Sequence, residues 1–252
     1  MSFNVGADAY DRFMGRYSTL LAPLFADFAG IGEGQRVIDV GCGPGALTTE
    51  LVRRLDASDV CAIDPSESFV EAIRERLPEV TVRQAPAEEL PFEVGMFDVA
   101  IAQLVVHFMT DPVAGLREMA RVTRNGGVVA ACVWDHAGGK GPLSLFWSAA
   151  HQLDPNATTE SGLAGARRGH LAQLFRDAGL SAVEDTTLAI TTRHQTFEEW
   201  WEPYTLGVGP VGIYVNSLDE ARQVQVRELC REMLPAAPFE LTAQVWAVRA
   251  LA

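Results

Sequence analysis

From Arg36 onward, short apolar runs alternate with segments of helical spacing. The runs are Arg36–Val40, Asp59–Ile63, Val80–Arg83, Phe97–Ala102 and Gly127–Trp134. In one intervening segment Val70, Ile73 and Leu77 share a face, and Pro78 stops the helix. In another, Asp111 is a natural N-cap and Pro112 suits the first turn. Val113, Leu116 and Ala120 form its apolar stripe, and Asn125-Gly126-Gly127 is expected to end it, because glycine tolerates the left-handed position past a helix. Strands separated by helices pair in parallel, with helices on both faces. The expected class is therefore α/β: a doubly wound, mostly parallel sheet.

Two regions break the alternation. Residues 7–30 read as helix before the first strand, with Leu20, Leu21, Leu24, Phe25 and Phe28 at helical spacing. Near the C-terminus, Leu180–Thr192 and Phe239–Leu251 read as strands, one of them antiparallel to the rest. Between them Phe197–Tyr204 and Ser217–Leu234 look helical, with Ser217 and Glu220 at capping-box spacing and Val226, Leu229 and Met233 as the stripe. A helical insertion this long exceeds the usual connection of ~2–6 residues and reads as a lid. The expectation is one domain over 1–252, with a helical cover at 7–35, a sheet core at 36–192 and 237–252, and a lid at 195–235.

The 252 residues carry 20 Lys+Arg against 33 Asp+Glu, a net charge of −13. Such a field repels nucleic acid and anionic membrane, whose binding draws on Lys and Arg; Arg167-Arg168 is the local basic pair. No run reaches the ~18 apolar residues of a bilayer span. Met1-Ser2-Phe3-Asn4-Val5 lacks the basic and apolar regions of a secretion signal. Cys42, Cys61, Cys132 and Cys230 are far apart, indicating neither a disulfide framework nor a zinc ribbon. A cytoplasmic enzyme with a small-molecule acceptor, no nucleic acid and no membrane insertion is the expectation.

Val37-Ile38-Asp39-Val40-Gly41-Cys42-Gly43-Pro44-Gly45-Ala46-Leu47 reads as a buried strand, a glycine turn and a helix start. In an open parallel sheet, ligands bind beyond the carboxyl end of such a strand. Gly41-x-Gly43-x-x-Ala46 satisfies a loose dinucleotide pattern too, so the loop alone fits a nicotinamide cofactor equally well. Val60-Cys61-Ala62-Ile63-Asp64 adds a carboxylate at the end of the second strand, 19 residues after Gly45. It is placed to accept both ribose hydroxyls, or simply to cap the next helix. Together these point to an adenosine ligand.

The sequence resembles the class I S-adenosylmethionine-dependent methyltransferases, in particular the small-molecule branch similar to ubiquinone/menaquinone-biosynthesis methyltransferases. The resemblance rests on Val37–Gly45 with Asp39 two residues before the first glycine, then Ala87-Glu88-Glu89-Leu90-Pro91-Phe92 followed by Phe97-Asp98-Val99. Leu104-Val105-Val106-His107, Asp111-Pro112 and Arg124-Asn125-Gly126-Gly127 follow in family order, and Tyr10–Ser18 is similar to an opening found in part of the branch. It implies a Rossmann-like fold and S-adenosyl-L-methionine as cofactor. By position, Gly41 and Gly43, with Cys42, would face the methionine part, and Asp39 its ammonium. Asp64, with Pro65, would hold the ribose; Ala87 and Glu88 the adenine. Gln103 and Leu104 would lie beside the sulfonium. Arg16 would pair the cofactor carboxylate, or be a surface arginine, and Tyr10 would close the same end. The family's usual Asp before the Ala-Glu pair is replaced by Pro86, which leaves the adenine amino contact to Glu88 or solvent.

Transfer from a sulfonium needs alignment and desolvation more than an obligatory catalytic residue. His107, with an ordinary pKa near ~6.5, is the candidate base, and His136 after Asp135 the second; a structural or helix-capping histidine is the competing reading. Gln103-Leu104-Val105 lacks the Asn/Asp-Pro-Pro-aromatic set of amino methylation of bases. No Pro-Cys dipeptide supports cytosine chemistry, and no clustered acids suggest a metal. Trp134 and the lid aromatics Trp200, Trp201, Tyr204 and Tyr214 would line an acceptor pocket, or anchor the lid to the sheet. A nicotinamide oxidoreductase and a non-catalytic S-adenosylmethionine-binding partner protein are the competing readings.

Overall fold

A computed structural model describes residues 7–157 and 159–252; the leader reading at Met1–Val5 lies outside them. The strands are β1 (Val37–Val40), β2 (Val60–Asp64), β3 (Thr81–Gln84), β4 (Phe97–Gln103), β5 (Thr123–Trp134), β6 (Ser181–His194) and β7 (Phe239–Leu251). They form one sheet in the order β3-β2-β1-β4-β5-β7-β6, with β7 antiparallel to both neighbours and the remaining pairs parallel. The chain thus reverses its direction of winding between β1 and β4, and a crevice opens there at the strands' carboxyl ends. The class is the expected α/β sandwich with one antiparallel strand.

Alternation along each strand divides the core in two. Val37, Val60, Ala62 and Val99 face one side with α2 (Arg16–Ala29), α3 (Ala46–Arg54) and α4 (Glu67–Arg76), the first helix preceded by α1 (Ala7–Tyr10) and a π-helical turn at Asp11–Gly15. Ile38, Val40, Cys61 and Ile63 face the other, with α5 (Pro112–Val122) and α7 (His170–Asp177). Strands buried on both faces read as continuous apolar runs, which is why they were visible in the sequence. All four cysteines are free and buried.

The structure departs from expectation in four places. On α2, Leu21 and Phe25 are buried, but Leu20 and Leu24 are 45% and 40% exposed. Helix α5, capped by Asp111 as expected, ends at Val122 rather than at Asn125–Gly127. The glycines instead build a bulge in β5: Phe97 pairs Thr123 while Val99 pairs Val128, and a Cβ on Gly127 would lie 2.6 Å from the Asp98 carbonyl. Near the C-terminus, Ser217 closes α9 (Gly209–Ser217), and Asp219 caps α10 (Glu220–Met233) by accepting from the Arg222 N–H. Val226 and Cys230 are the buried stripe there, while Met233 is 39% exposed.

The fourth departure is α6 (Ser144–Leu153), which sequence reading did not mark. With α8 (Phe197–Trp201), α9 and α10 it builds the helical layer above one face of the sheet. Among the described residues, no helix is long and apolar enough to cross a membrane.

Candidate functional site

A cavity of about 930 Å³ opens where β1, β2 and β4 end, walled by the N-terminal helices. The glycine turn forms its floor. Gly41, Gly43 and Gly45 all have positive φ, +72°, +53° and +98°. A Cβ on Gly41 would lie 2.4 Å from Val105 Cγ1, so the turn and the segment after β4 touch only because that side chain is missing. Gly43 has open space over its α-carbon, a cradle into which a ligand fits without hindrance.

Two carboxylates stand beside this turn. Asp64 accepts the Gly43 N–H through Oδ2 at 2.9 Å and the Ser66 N–H through Oδ1 at 2.8 Å. Each oxygen retains a lone pair for a further donor. Asp39 accepts from Thr48 Oγ1 through Oδ2 at 2.7 Å, while its Oδ1 is buried with no hydrogen-bond partner. Burial first, opposed by the Thr48 hydroxyl and then reinforced by Asp64, lifts the Asp39 carboxyl to about 7. Gln103, at the end of β4, donates Nε2 to the Ser18 carbonyl at 3.1 Å, and its Oε1 is likewise buried and unpartnered. Leu104, next in the chain, is held in the left-handed region at φ 63°, a conformation that tertiary structure must enforce and that clusters at functional sites.

Of the residues singled out in the sequence, Tyr10, Asp39, Gly41, Cys42, Gly43, Asp64, Pro65, Gln103 and Leu104 line this cavity. Cys42 is no nucleophile: burial, with Asp39 and Asp64 nearby, pushes its thiol well up. Three others lie elsewhere. Arg16 donates to the Arg12 and Glu199 carbonyls, bracing α2 against α8. Ala87 is buried against Gly115 of α5, and Glu88 accepts the Thr110 and Asp111 N–H groups, ordering the start of that helix.

The aromatic roof is also displaced. Trp134, Trp200, Trp201 and Tyr204 are 3%, 1%, 8% and 2% exposed and pack against Phe13, Tyr17, Phe146 and Phe197, away from the cavity lining. Half-buried Tyr214 packs on Phe146 and Trp147. Flat rings have most to gain from packing on one another, so the lid's aromatics form core here. His107 is 7% exposed and does not line the cavity, although Leu104, Val105 and Phe108 around it do.

Sequence reading passed over the rim. Asp11 bonds Arg76 at 3.0 Å, and Arg76 also donates to the Pro44 carbonyl at 2.9 Å, so the N-terminal segment is pinned to the glycine turn. Tyr10 and Phe69 meet edge to face over the same rim, with ring centroids 5.3 Å apart. The only advance signal was the position of Asp11 in the stretch Tyr10–Ser18.

A sheet of this order with a crevice at its carboxyl edge defines a Rossmann-like fold. An S-adenosylmethionine-dependent methyltransferase of Thermotoga maritima superposes with a TM-score of 0.52 over 97% of this chain and 98% of that one, at 18% identity. Residues 38–131 match the family described as a methyltransferase domain. An uncharacterized methyltransferase of Mycobacterium bovis is 33% identical over 135 residues, 54% of this chain and 52% of its own length. A ubiquinone/menaquinone biosynthesis C-methyltransferase of Citrifermentans bemidjiense is 32% identical over 107 residues, 40% of this chain and 46% of its own. The chain thus spans about half the length of the curated relatives it matches.

Proposed function

We propose that this chain is an S-adenosylmethionine-dependent methyltransferase acting on a small-molecule acceptor in the cytoplasm. The observation that carries the reading is Asp39 Oδ1, a buried, unpartnered anion acceptor beside the glycine turn. An ammonium group satisfies it; a diphosphate at the same place would be repelled by both Asp39 and Asp64. That argues against the nicotinamide alternative. In the proposed site Asp39 and Gln103 hold the cationic methionine end, the turn at Gly41–Gly45 follows its backbone, and Asp64 takes the ribose hydroxyls. When bound, the cofactor supplies an activated methyl group whose departure leaves a neutral thioether. The protein's own part is to exclude water and align the acceptor.

Among the described residues the cavity lining includes no lysine or arginine, so no side-chain cation there would pair with a phosphate or carboxylate on the acceptor. This supports an uncharged acceptor and agrees with the quinone chemistry in the name of the Citrifermentans relative. The cytoplasmic placement is supported by four free, buried cysteines.

Calorimetric titration with S-adenosylhomocysteine and, separately, with NADH tests the cofactor. Binding of the first alone is expected; binding of NADH alone would overturn the proposal. Release of S-adenosylhomocysteine from S-adenosylmethionine in the presence of uncharged phenols and hydroquinones then separates an enzyme from a non-catalytic binding partner.

A further inference from the structure

The sheet has two unequal edges. At one end β3 has 4 residues, too short to invite a further strand. At the other end lies β6, with 14 residues, paired among the described residues only with β7. Its bulge falls between Ser181 and Glu184; from there to His194 the register with β7 is regular, and no proline or lysine interrupts it. Such a strand presents a free row of N–H and C=O groups, which proteins ordinarily shorten, bend or cover.

The regular stretch reads Asp185-Thr186-Thr187-Leu188-Ala189-Ile190-Thr191-Thr192-Arg193. About Ala189 the order is alike in both directions: an aliphatic residue, two threonines, then a charge, negative at one end and positive at the other. Asp185, Thr187, Ala189, Thr191 and Arg193, which share a face, are all exposed. Among the described residues neither the Asp185 nor the Arg193 side chain makes a hydrogen bond or ion pair. Charges on an edge usually guard it. Two of opposite sign, equally far from a centre, instead attract when the strand meets its own copy running the other way.

Helix α2 supplies a separate feature with the same centre. It packs on β6. Its first residue, Arg16, donates to the Glu199 carbonyl, and Glu199 accepts the N–H of Gln195, just past the end of β6. Near its other end, the Phe28 ring lies under Arg249, which bonds Glu184 at the start of the regular stretch. The helix therefore runs beside the strand in the opposite sense, and the middles of the two lie abreast. Leu20, Leu24 and Phe28 follow one another at four-residue spacing along the helix surface. Phe28 turns this row toward Arg249 and β6, and Leu20 and Leu24 are exposed on it.

We propose that β6 is an interface with a second copy of this chain, the two strands pairing antiparallel about a two-fold axis at Ala189. Asp185 of each copy then stands opposite Arg193 of the other, Thr187 opposite Thr191, Leu188 opposite Ile190, and Ala189 opposite itself. Residues so opposed have β-carbons about 4.5–5.5 Å apart, close enough for the charges to pair and the threonines to hydrogen-bond. Moving the axis by one residue, to Leu188 or Ile190, sets Asp185 opposite Thr191 or Gln195 and leaves the charges unpaired. The axis at Ala189 also brings the two α2 rows together, Leu20 of each toward Leu24 of the other, a self-complementary contact that covers both leucines. None of this depends on the methyltransferase reading.

Sedimentation velocity of the chain from low to high micromolar concentration tests the proposal, and a dimer that dissociates on dilution is expected. Arg193→Asp and Asp185→Arg each set like charges opposite one another and should weaken the dimer by about tenfold or more. The double variant exchanges the charges and should restore it. With a short bismaleimide, Ala189→Cys should cross-link to its own copy, whereas Thr191→Cys, about 13 Å from its counterpart, should not. The four native cysteines are buried and add little background. A wild type that stays monomeric at high micromolar concentration overturns the proposal. So does a dimer indifferent to the single charge changes or unrestored by their exchange, or one that cross-links through Thr191→Cys and not Ala189→Cys. If a charge variant does not fold, the two cysteine variants, which leave the charges in place, decide alone.

Discussion

The backbone N–H of Gly43 donates to Asp64 Oδ2 at 2.9 Å, so the residue that closes β2 holds the turn that follows β1. Asp64 therefore has two tasks, shaping the turn and presenting oxygens to the cavity. Asp64→Ala removes both at once. Each charge-assisted hydrogen bond is worth roughly 1.5–3 kcal/mol, which at about 1.4 kcal/mol per tenfold predicts a loss of S-adenosylhomocysteine affinity of roughly 10- to 150-fold. Because the turn also slackens, the melting temperature should fall in the absence of ligand. Calorimetry and a thermal melt read the two effects separately; unchanged affinity would remove Asp64 from the site.

Asp39 gives a pH dependence with a definite sign. Its carboxyl titrates near the ordinary 3.8 in the unfolded chain and at about 7 in the folded one. Between those values the folded state holds the extra proton, so stability declines as pH rises through about 7. Asp39→Asn should remove that decline and be the more stable variant at neutral pH. An ammonium ligand acts in the opposite direction by favouring the carboxylate. Wild-type affinity for S-adenosylhomocysteine should thus rise between about pH 5 and 8, by at most tenfold per unit, with proton release on binding. Titrations in buffers of different ionisation enthalpy measure that release, which Asp39→Asn should abolish.

What could be read from the sequence depended on the range of the forces involved. The strands of the core were legible because both faces are buried, and Asp111 because a cap is satisfied three residues away, at Ala114. Local rules failed where a distant partner decided the outcome. The Asn125–Gly127 glycines suit a helix end by themselves; contact with Asp98 across the sheet turned them into a bulge. Arg16 could be assigned to an anion until Glu199, 183 residues away, took its guanidinium. Glu160 carried no local signal at all, since its one hydrogen bond shown is to the indole N–H of Trp147, 13 residues away. The glycine turn with Asp39 and Asp64 was legible because a strand, a tight turn and a carboxylate at the next strand's end are set by short-range geometry.

Gly41 combines a left-handed backbone with a close approach, and the two can be separated by mutation. An L side chain at φ +72° costs about 1–2 kcal/mol. Forcing a methyl to within 2.4 Å of Val105 Cγ1 adds about 1–3 kcal/mol of overpacking. Gly41→Ala should thus destabilise by about 2–5 kcal/mol in denaturant unfolding. Adding Val105→Ala should recover the overpacking share and leave the backbone share, a non-additivity that a double-mutant cycle reads directly.

Trp200 distinguishes a lid that contacts ligand from one that is part of the core. Its ring is 1% exposed, packed edge to face on Tyr204 at 4.7 Å and tilted against Phe197 at 5.9 Å, and its Nε1 makes no hydrogen bond. Removing it therefore forfeits packing and no polar partner. Trp200→Ala should lower stability by about 3–5 kcal/mol, shifting the urea midpoint with little change in slope. Because the residue lies away from the glycine turn, affinity for S-adenosylhomocysteine in the folded fraction should stay within about twofold, well under the tenfold that 1.4 kcal/mol represents. The opposite pattern, full stability with a large loss of ligand affinity, would return the lid aromatics to the binding site and mean that the helices α8–α10 close over the cavity when it is filled.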